Sequence, residues 1–170
     1  MRISVIGGGH GCYAAAAELA ENGHDVRWWR RDSSAFQGLR DAGALTVTDY
    51  RGTRQVPVGA GPGHLQLAEA LDDAVAHAQL LVIPLPATTH DALAPALGPL
   101  LRDGQVVFLP PGTFGSYLFA HAQKVAGNPA RVAYAETGTL PYLARKHGNK
   151  VVISGCLLYT SDAADDLLCV

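Results

Sequence analysis

The sequence predicts an α/β fold, a doubly wound, mainly parallel sheet with helices on both faces. Three observations carry that expectation. An apolar run of strand length at residues 3–6 passes through the turn Gly7-Gly8-Gly9-His10-Gly11-Cys12 into a run of helix formers at 13–20, and a second strand resumes at 26–29. Strand-like and helix-like segments then alternate along the chain, which favours parallel pairing with crossover helices. Leu80-Leu81-Val82-Ile83 is apolar without interruption, as in a strand buried on both faces.

The remaining elements follow in order. Asn22-Gly23 closes the first helix. Residues 33–42 read as a surface helix or loop. Residues 44–48 and 55–58 read as two hairpin strands around Asp49-Tyr50-Arg51-Gly52, and Gly59-Ala60-Gly61-Pro62-Gly63 as a loop. Residues 65–78, apolar at 67, 71 and 75, read as one helix. Pro84-Leu85-Pro86 ends the strand at 80–83. Thr88 with Asp91 has the pattern of a capping box, opening a helix that Pro95 should kink or divide. Residues 105–109 read as a core strand closed by Pro110-Pro111-Gly112, 114–126 as a helix, and 131–135 and 150–153 as further strands.

Composition bounds the function. At 170 residues the chain is long enough for one domain with a proper core. A net charge of −2 and a pI near 6.4 give no general attraction to nucleic acid. No apolar run reaches the roughly 18 residues of a membrane-spanning helix, and the start lacks a signal-peptide pattern, so a cytoplasmic protein is expected. Cys12, Cys156 and Cys169 have neither metal-ligand nor disulfide-framework spacing, and no metal site is expected.

The glycine turn is where the chemistry concentrates. Between a strand and a helix, Gly7 permits the tight turn, and Gly9 lets backbone approach a pyrophosphate. The helix starting near His10 offers free N–H groups and a positive dipole end to that anion. The third fingerprint position is Cys12, small enough for helix–strand packing. About 20 residues past the glycines, where an acidic residue would bind the 2′-hydroxyl of NAD, stand Arg30 and Arg31. Guanidinium groups suit a 2′-phosphate, so NADP is favoured over NAD. The alternative is a solvated Arg pair, with Asp32 taking the acidic role. Ligands of such sheets lie outside the carboxyl ends of the strands, so loops 7–12, 30–32, 84–89 and 110–115 should meet. The expected cofactor set is Gly7, Gly8, Gly9, His10, Gly11, Cys12, Arg30, Arg31, Leu85, Pro86, Pro111 and Gly112. His90 and His121, on expected helices, read as surface residues rather than catalysts.

Three segments resemble one family, the NAD(P)-dependent octopine/nopaline (opine) dehydrogenases. Gly7-Gly8-Gly9-His10-Gly11 is similar to its fingerprint, and Leu109-Pro110-Pro111-Gly112-Thr113-Phe114-Gly115 to its L-x-P-G loop. Ala135-Glu136-Thr137-Gly138-Thr139-Leu140-Pro141-Tyr142-Leu143-Ala144-Arg145 is similar to its E-T-x-T-L-P-Y-x-x-R segment, the most specific of the three. The resemblance covers about residues 1–155 and implies a Rossmann-type cofactor domain. It further implies an enzyme that condenses an amino acid with a 2-oxo acid, both small molecules, using hydride from NAD(P)H. The family's catalytic His and Asp lie in a second, helical domain, so no residue of this chain inherits a catalytic role and the chain alone should be inactive. Glu136, Thr137 and Arg145 would line the cleft between the domains.

Residues 156–165 resemble the translation of a transposase-type sequencing adapter, and one choice of codons for them reproduces it. Residues 156–170 are therefore expected to be a non-native tail, on a fragment whose native part is the dinucleotide-binding domain 1–155. Two other readings are a glycerol-3-phosphate dehydrogenase-like or ketopantoate reductase-like oxidoreductase, which the 136–145 segment argues against, and a stand-alone nucleotide-binding regulatory module.

Overall fold

A computed structural model describes residues 1–156; all but the first residue of the expected tail lies outside the described residues. In chain order the elements are β1 (Arg2–Ile6), α1 (His10–Glu21), β2 (Asp25–Trp29), α2 (Gln37–Ala42), β3 (Ala44–Asp49), β4 (Gly52–Pro57), β5 (Leu65–Ala68), α3 (Leu71–His77), β6 (Leu80–Val82), α4 (His90–Leu97), β7 (Val106–Leu109), α5 (Gly115–Val125), β8 (Ala133–Glu136), β9 (Tyr142–His147) and β10 (Lys150–Cys156).

The first sheet has the order β5-β2-β1-β6-β7-β8, and every pair in it is parallel. The chain winds outward from β1 in both directions, so the loops after β1 and β6 part at a topological switch point, where such sheets take their ligands. Alternation along β1 separates two cores. Ile3 and Val5 face α1, whereas Ser4 donates its hydroxyl to Ala74 O of α3 at 2.7 Å. Ile6, Leu81 and Leu109 join α3, α4 and α5 in the second core.

A second sheet, order β4-β3-β10-β9, covers the outer side of α1. It is mixed: β10 runs parallel to β3 and antiparallel to β9, while β3 and β4 form the expected hairpin. Held between two sheets, α1 is buried almost all round, including Ala14, Ala15, Ala16 and Ala17. Small side chains let both sheets approach the helix axis, and a helix apolar on every side is a helix covered on every side.

The structure corrects several expectations. Residues 65–78 are not one helix: Leu65–Ala68 pairs in parallel with β2 as an edge strand, and the helix starts only at Leu71. Four residues that gain a ladder and bury Leu65 and Ala68 outweigh the local helical period. The capping box is not made. Thr89, not Thr88, is the N-cap of α4, without a side-chain cap bond, and its hydroxyl donates to Pro86 O at 2.7 Å within the preceding turn. α4 runs through Pro95 to Leu97 before tightening into a short 3₁₀ turn. The 33–42 segment is more than surface, because Phe36 and Leu39 are fully buried. The strand near 150–153 belongs to the second sheet, and its partner β9 was not expected at all.

Candidate dinucleotide-binding site

β1 ends directly beneath the glycine turn. Gly7 has φ +124°, and its N–H donates to Trp29 O at 2.7 Å while its carbonyl accepts from Trp28 Nε1 at 2.7 Å. The turn is thus bonded to the end of β2 on both sides. A Cβ on Gly7 would stand 2.5 Å from Leu85 and 2.9 Å from Cys12 Sγ. Cys12 is fully buried, with Sγ 3.6 Å from Pro84 O and 3.8 Å from Ile6 O. It packs α1 onto the ends of β1 and β6 beneath the turn, and burial pushes its thiol pKa up to about 12. Gly11 is packed too: a Cβ there would meet Leu140 at 2.6 Å.

Gly9 differs. It is the N-cap of α1, with no side-chain cap bond and no acidic residue in the first turn, and a Cβ built on it would meet nothing within 4 Å. A helix N-terminus with free N–H groups beside open space fits the pyrophosphate of a dinucleotide. His10 is exposed, and its Nδ1 accepts the backbone N–H of Lys146 at 3.0 Å, which ties β9 to the start of α1.

At the end of β2 the two arginines separate. Arg30 is half-buried. Its guanidinium lies across Gly8, where a Cβ would be 2.7 Å from Cζ, and 5.6 Å above the Phe36 ring. Arg31 is exposed and makes none of these contacts among the described residues. Asp32 turns to Ser34, whose N–H and hydroxyl it accepts at 3.1 and 2.5 Å.

The other two loops also come to this end of the sheet. Leu85 packs on Gly7, and Pro86 is exposed beside it. Pro110–Pro111 is a cis peptide, Pro111 is half-buried and Gly112 is buried against Glu136. Glu136 accepts N–H bonds from Phe114 at 3.0 Å and Ser116 at 2.9 Å, capping α5 from another strand. These bonds, that of Ser116 first, hold its carboxyl pKa below the usual range. Thr113 and Phe114 have φ of +52° and +63°, a strained pair for residues with side chains. Thr137 closes the loop through its backbone, donating to Leu109 O at 3.1 Å and accepting from Gly112 at 3.0 Å. Glu136 and Thr137 therefore shape the β7–α5 loop. Arg145 is exposed on the face of β9 opposite Lys146, and the structure does not bring it to the turn.

His90 corrects the surface reading. It is 1% exposed between α4 and α5, edge-on to Phe119 at 5.5 Å, its Nε2 is without a hydrogen-bond partner among the described residues, and burial lowers its pKa. His121 is exposed and stacks on Tyr117. The residue that sequence reading passed over is Lys146. Its Nζ lies 4.8 Å from the Tyr13 ring centroid. Its signal was the alternation Tyr142, Ala144, Lys146, which places it on the inner face of a strand.

A parallel sheet wound both ways, with a glycine turn and an open helix N-terminus at its switch point, defines an α/β dinucleotide-binding domain. The family described as NAD-dependent glycerol-3-phosphate dehydrogenase N-terminus matches residues 2–112, and the chain belongs to it. Over 144 residues, 84% of this chain, it is 30% identical to an opine dehydrogenase of Arthrobacter sp. (strain 1C), of which it covers 38%. Over 105 residues, 62% of this chain, it is 28% identical to a glycerol-3-phosphate dehydrogenase [NAD(P)+] of Thioalkalivibrio sulfidiphilus (strain HL-EbGR7), of which it covers 29%. The fold matches octopine dehydrogenase solved with NADH and L-arginine, with a TM-score of 0.70 and 22% identity over 91% of this chain and 39% of that one. The chain thus spans well under half the length of these relatives, and it is an opine dehydrogenase-like NAD-binding domain. Among the described residues no helix is long and apolar enough to cross a membrane.

Proposed function

We propose that this chain is the cofactor domain of an opine-type dehydrogenase. Such an enzyme reductively condenses an amino acid with a 2-oxo acid in the cytoplasm and prefers NADP(H) to NAD(H). The observation that favours the opine reading is the extent of the likeness. The glycerol-3-phosphate dehydrogenase family match stops at residue 112, whereas similarity to the opine dehydrogenase extends over 144 residues. The NADP preference rests on Arg30 lying across Gly8.

When bound, the reduced dinucleotide supplies the hydride. The residues present would hold and orient it: the N–H groups of α1 and the bare backbone of Gly9 would take the pyrophosphate, and Arg30 the 2′-phosphate on the adenosine ribose. Leu85, Pro86, Pro111 and Gly112 form the floor beyond. Glu136 and Thr137 fix the β7–α5 loop where substrate would enter, and the acid–base groups belong to a part of the enzyme outside this chain.

Titration of the chain with NADPH and NADH tests the cofactor reading, and tighter NADPH binding is expected. The activity is tested on the chain joined to the remainder of an opine dehydrogenase. NADPH oxidation should then require an amino acid and a 2-oxo acid together. Oxidation driven by dihydroxyacetone phosphate or ketopantoate alone would overturn it.

A further inference from the structure

The chain has thirteen Lys and Arg side chains. Arg27, Arg40, Arg51 and Arg54 are held in ion pairs. Of the other nine, seven are exposed, and only Arg30 and Lys146 are half-buried with no carboxylate paired to them among the described residues. A half-buried cationic head loses part of its hydration with no anion to offset the loss, so two of them on one aromatic cluster suit an anionic ligand.

Their placement is built, not incidental. Tyr13, Trp28 and Phe36 form a buried pile of edge-to-face rings with centroids 4.6 and 4.9 Å apart. Arg30 lies over the Phe36 end and Lys146 over the Tyr13 end. The rings are fully buried or nearly so and cannot move aside, and the N–H bond from Lys146 to His10 Nδ1 pins its backbone beside the first turn of α1. Each cation gains from a ring face; Arg30 also reaches the Tyr13 hydroxyl, which takes one of its five N–H donors. They are close enough for Arg30 to disfavour the charged form of Lys146, whose pKa is lowered by burial first and by that guanidinium second. Asp32 feels the Arg30 charge but makes its hydrogen bonds to Ser34 and no ion pair with Arg30.

We propose that Lys146, delivered by the second sheet, is a specificity-determining cation that joins Arg30 in binding a phosphomonoester, the 2′-phosphate of the dinucleotide. Arg31 is then not the second cation. The proposal rests on the NADP reading above and adds that preference is shared between two sheets: Arg30 from β2 and Lys146 from β9.

The test compares wild type, Lys146→Met, Lys146→Arg and Arg31→Met, each titrated with NADPH, NADH, 2′,5′-ADP and 5′-ADP. Thermal melts accompany each titration. Lys146→Met keeps the stem over Tyr13, so its melting temperature should stay near that of wild type. Its dissociation constants for NADPH and 2′,5′-ADP should rise at least 10-fold, while those for NADH and 5′-ADP change less than 3-fold. Lys146→Arg should keep the preference, and Arg31→Met should leave it within 3-fold of wild type. A wild type that binds NADPH and NADH equally overturns the NADP reading and this proposal with it. A wild type that prefers NADPH, with a Lys146→Met variant that keeps the preference, overturns the role of Lys146 alone. Equal weakening of 2′,5′-ADP and 5′-ADP would assign the ammonium to the pyrophosphate and also overturn it.

Discussion

Gly9 and Gly112 show how two glycines of one site do opposite things. A Cβ at Gly9 meets no protein atom, whereas one at Gly112 would overlap Glu136. Gly9→Val should therefore fold with a melting temperature close to wild type and lose dinucleotide binding at least 10-fold, because the branched side chain fills space that only the ligand uses. A matched loss of stability would mean that Gly9 is a packing residue instead. Glu136 makes a prediction about acid. Its folded pKa lies below its unfolded one, so its contribution is complete above the ordinary glutamate range, about 4.3, and fades as pH falls through the lowered value. Glu136→Gln should cost about 0.5–1 kcal/mol at neutral pH, small because the carboxylate is exposed. In melts at decreasing pH the variant and wild type should converge; a constant difference would show that charge is not what caps α5. The glycine turn between β1 and α1 was legible because the fingerprint is local. The capping by Glu136 was not, because it joins residues 20 and 22 positions apart through a loop whose backbone no propensity encodes.

At the level of elements, the join between α1 and the second sheet is made by charge as well as by alanines. Arg54 of β4 bonds Asp49 of β3 at 2.7 and 2.8 Å and also Glu21 at the end of α1, and Arg51 adds a bond to Asp49 at 2.9 Å. The Asp49 side chain is 4% exposed, and the Arg54 guanidinium, followed by Arg51, holds its carboxyl well below the usual carboxylate range. Asp49→Asn should destabilise by about 1.5–3 kcal/mol at pH 7, the scale of hydrogen bonds to charged groups. The sign follows as for Glu136: the contribution is present above the carboxylate range and lost on acidification. Urea melts at neutral and acid pH check both, and an unaltered midpoint at pH 7 would make the network ornamental. The hairpin carrying this network was readable from its alternation and its turn. The sheet it joins was not, since β3 pairs with β10 across about a hundred residues. The one local hint was Gly148-Asn149 between β9 and β10, with Gly148 at φ +58°, a two-residue hairpin signal.

For the whole molecule, the first sheet is the part that sequence resolved well: five of its six strands announce themselves as apolar runs, and β5 is hidden because four residues after a glycine loop carry too little pattern to outvote a helical period. Binding should couple to the stability of this entire unit, since the glycine turn is bonded to both β1 and β2 and packs on the loop after β6. At a cofactor concentration 100 times the dissociation constant, stabilisation is about 2.7 kcal/mol. For a chain of this size that is a rise in melting temperature of about 5–10 °C. Scanning calorimetry with NADPH checks it, and a shift confined to part of a split transition would show that the two sheets melt separately.

Trp28 and Trp29 are the only two tryptophans in the sequence, and they sit side by side at the end of β2, with Trp28 Nε1 bonded to the carbonyl of the first fingerprint glycine. The chain therefore carries both of its indole fluorophores beside the proposed dinucleotide site. Emission from a dry ring stack should be blue-shifted, and a reduced nicotinamide, which absorbs where indole emits, should quench it by energy transfer while an oxidised one does not. The NADPH and NADH titrations described above can be read without a label, and the redox state of the occupant can be read from the same light.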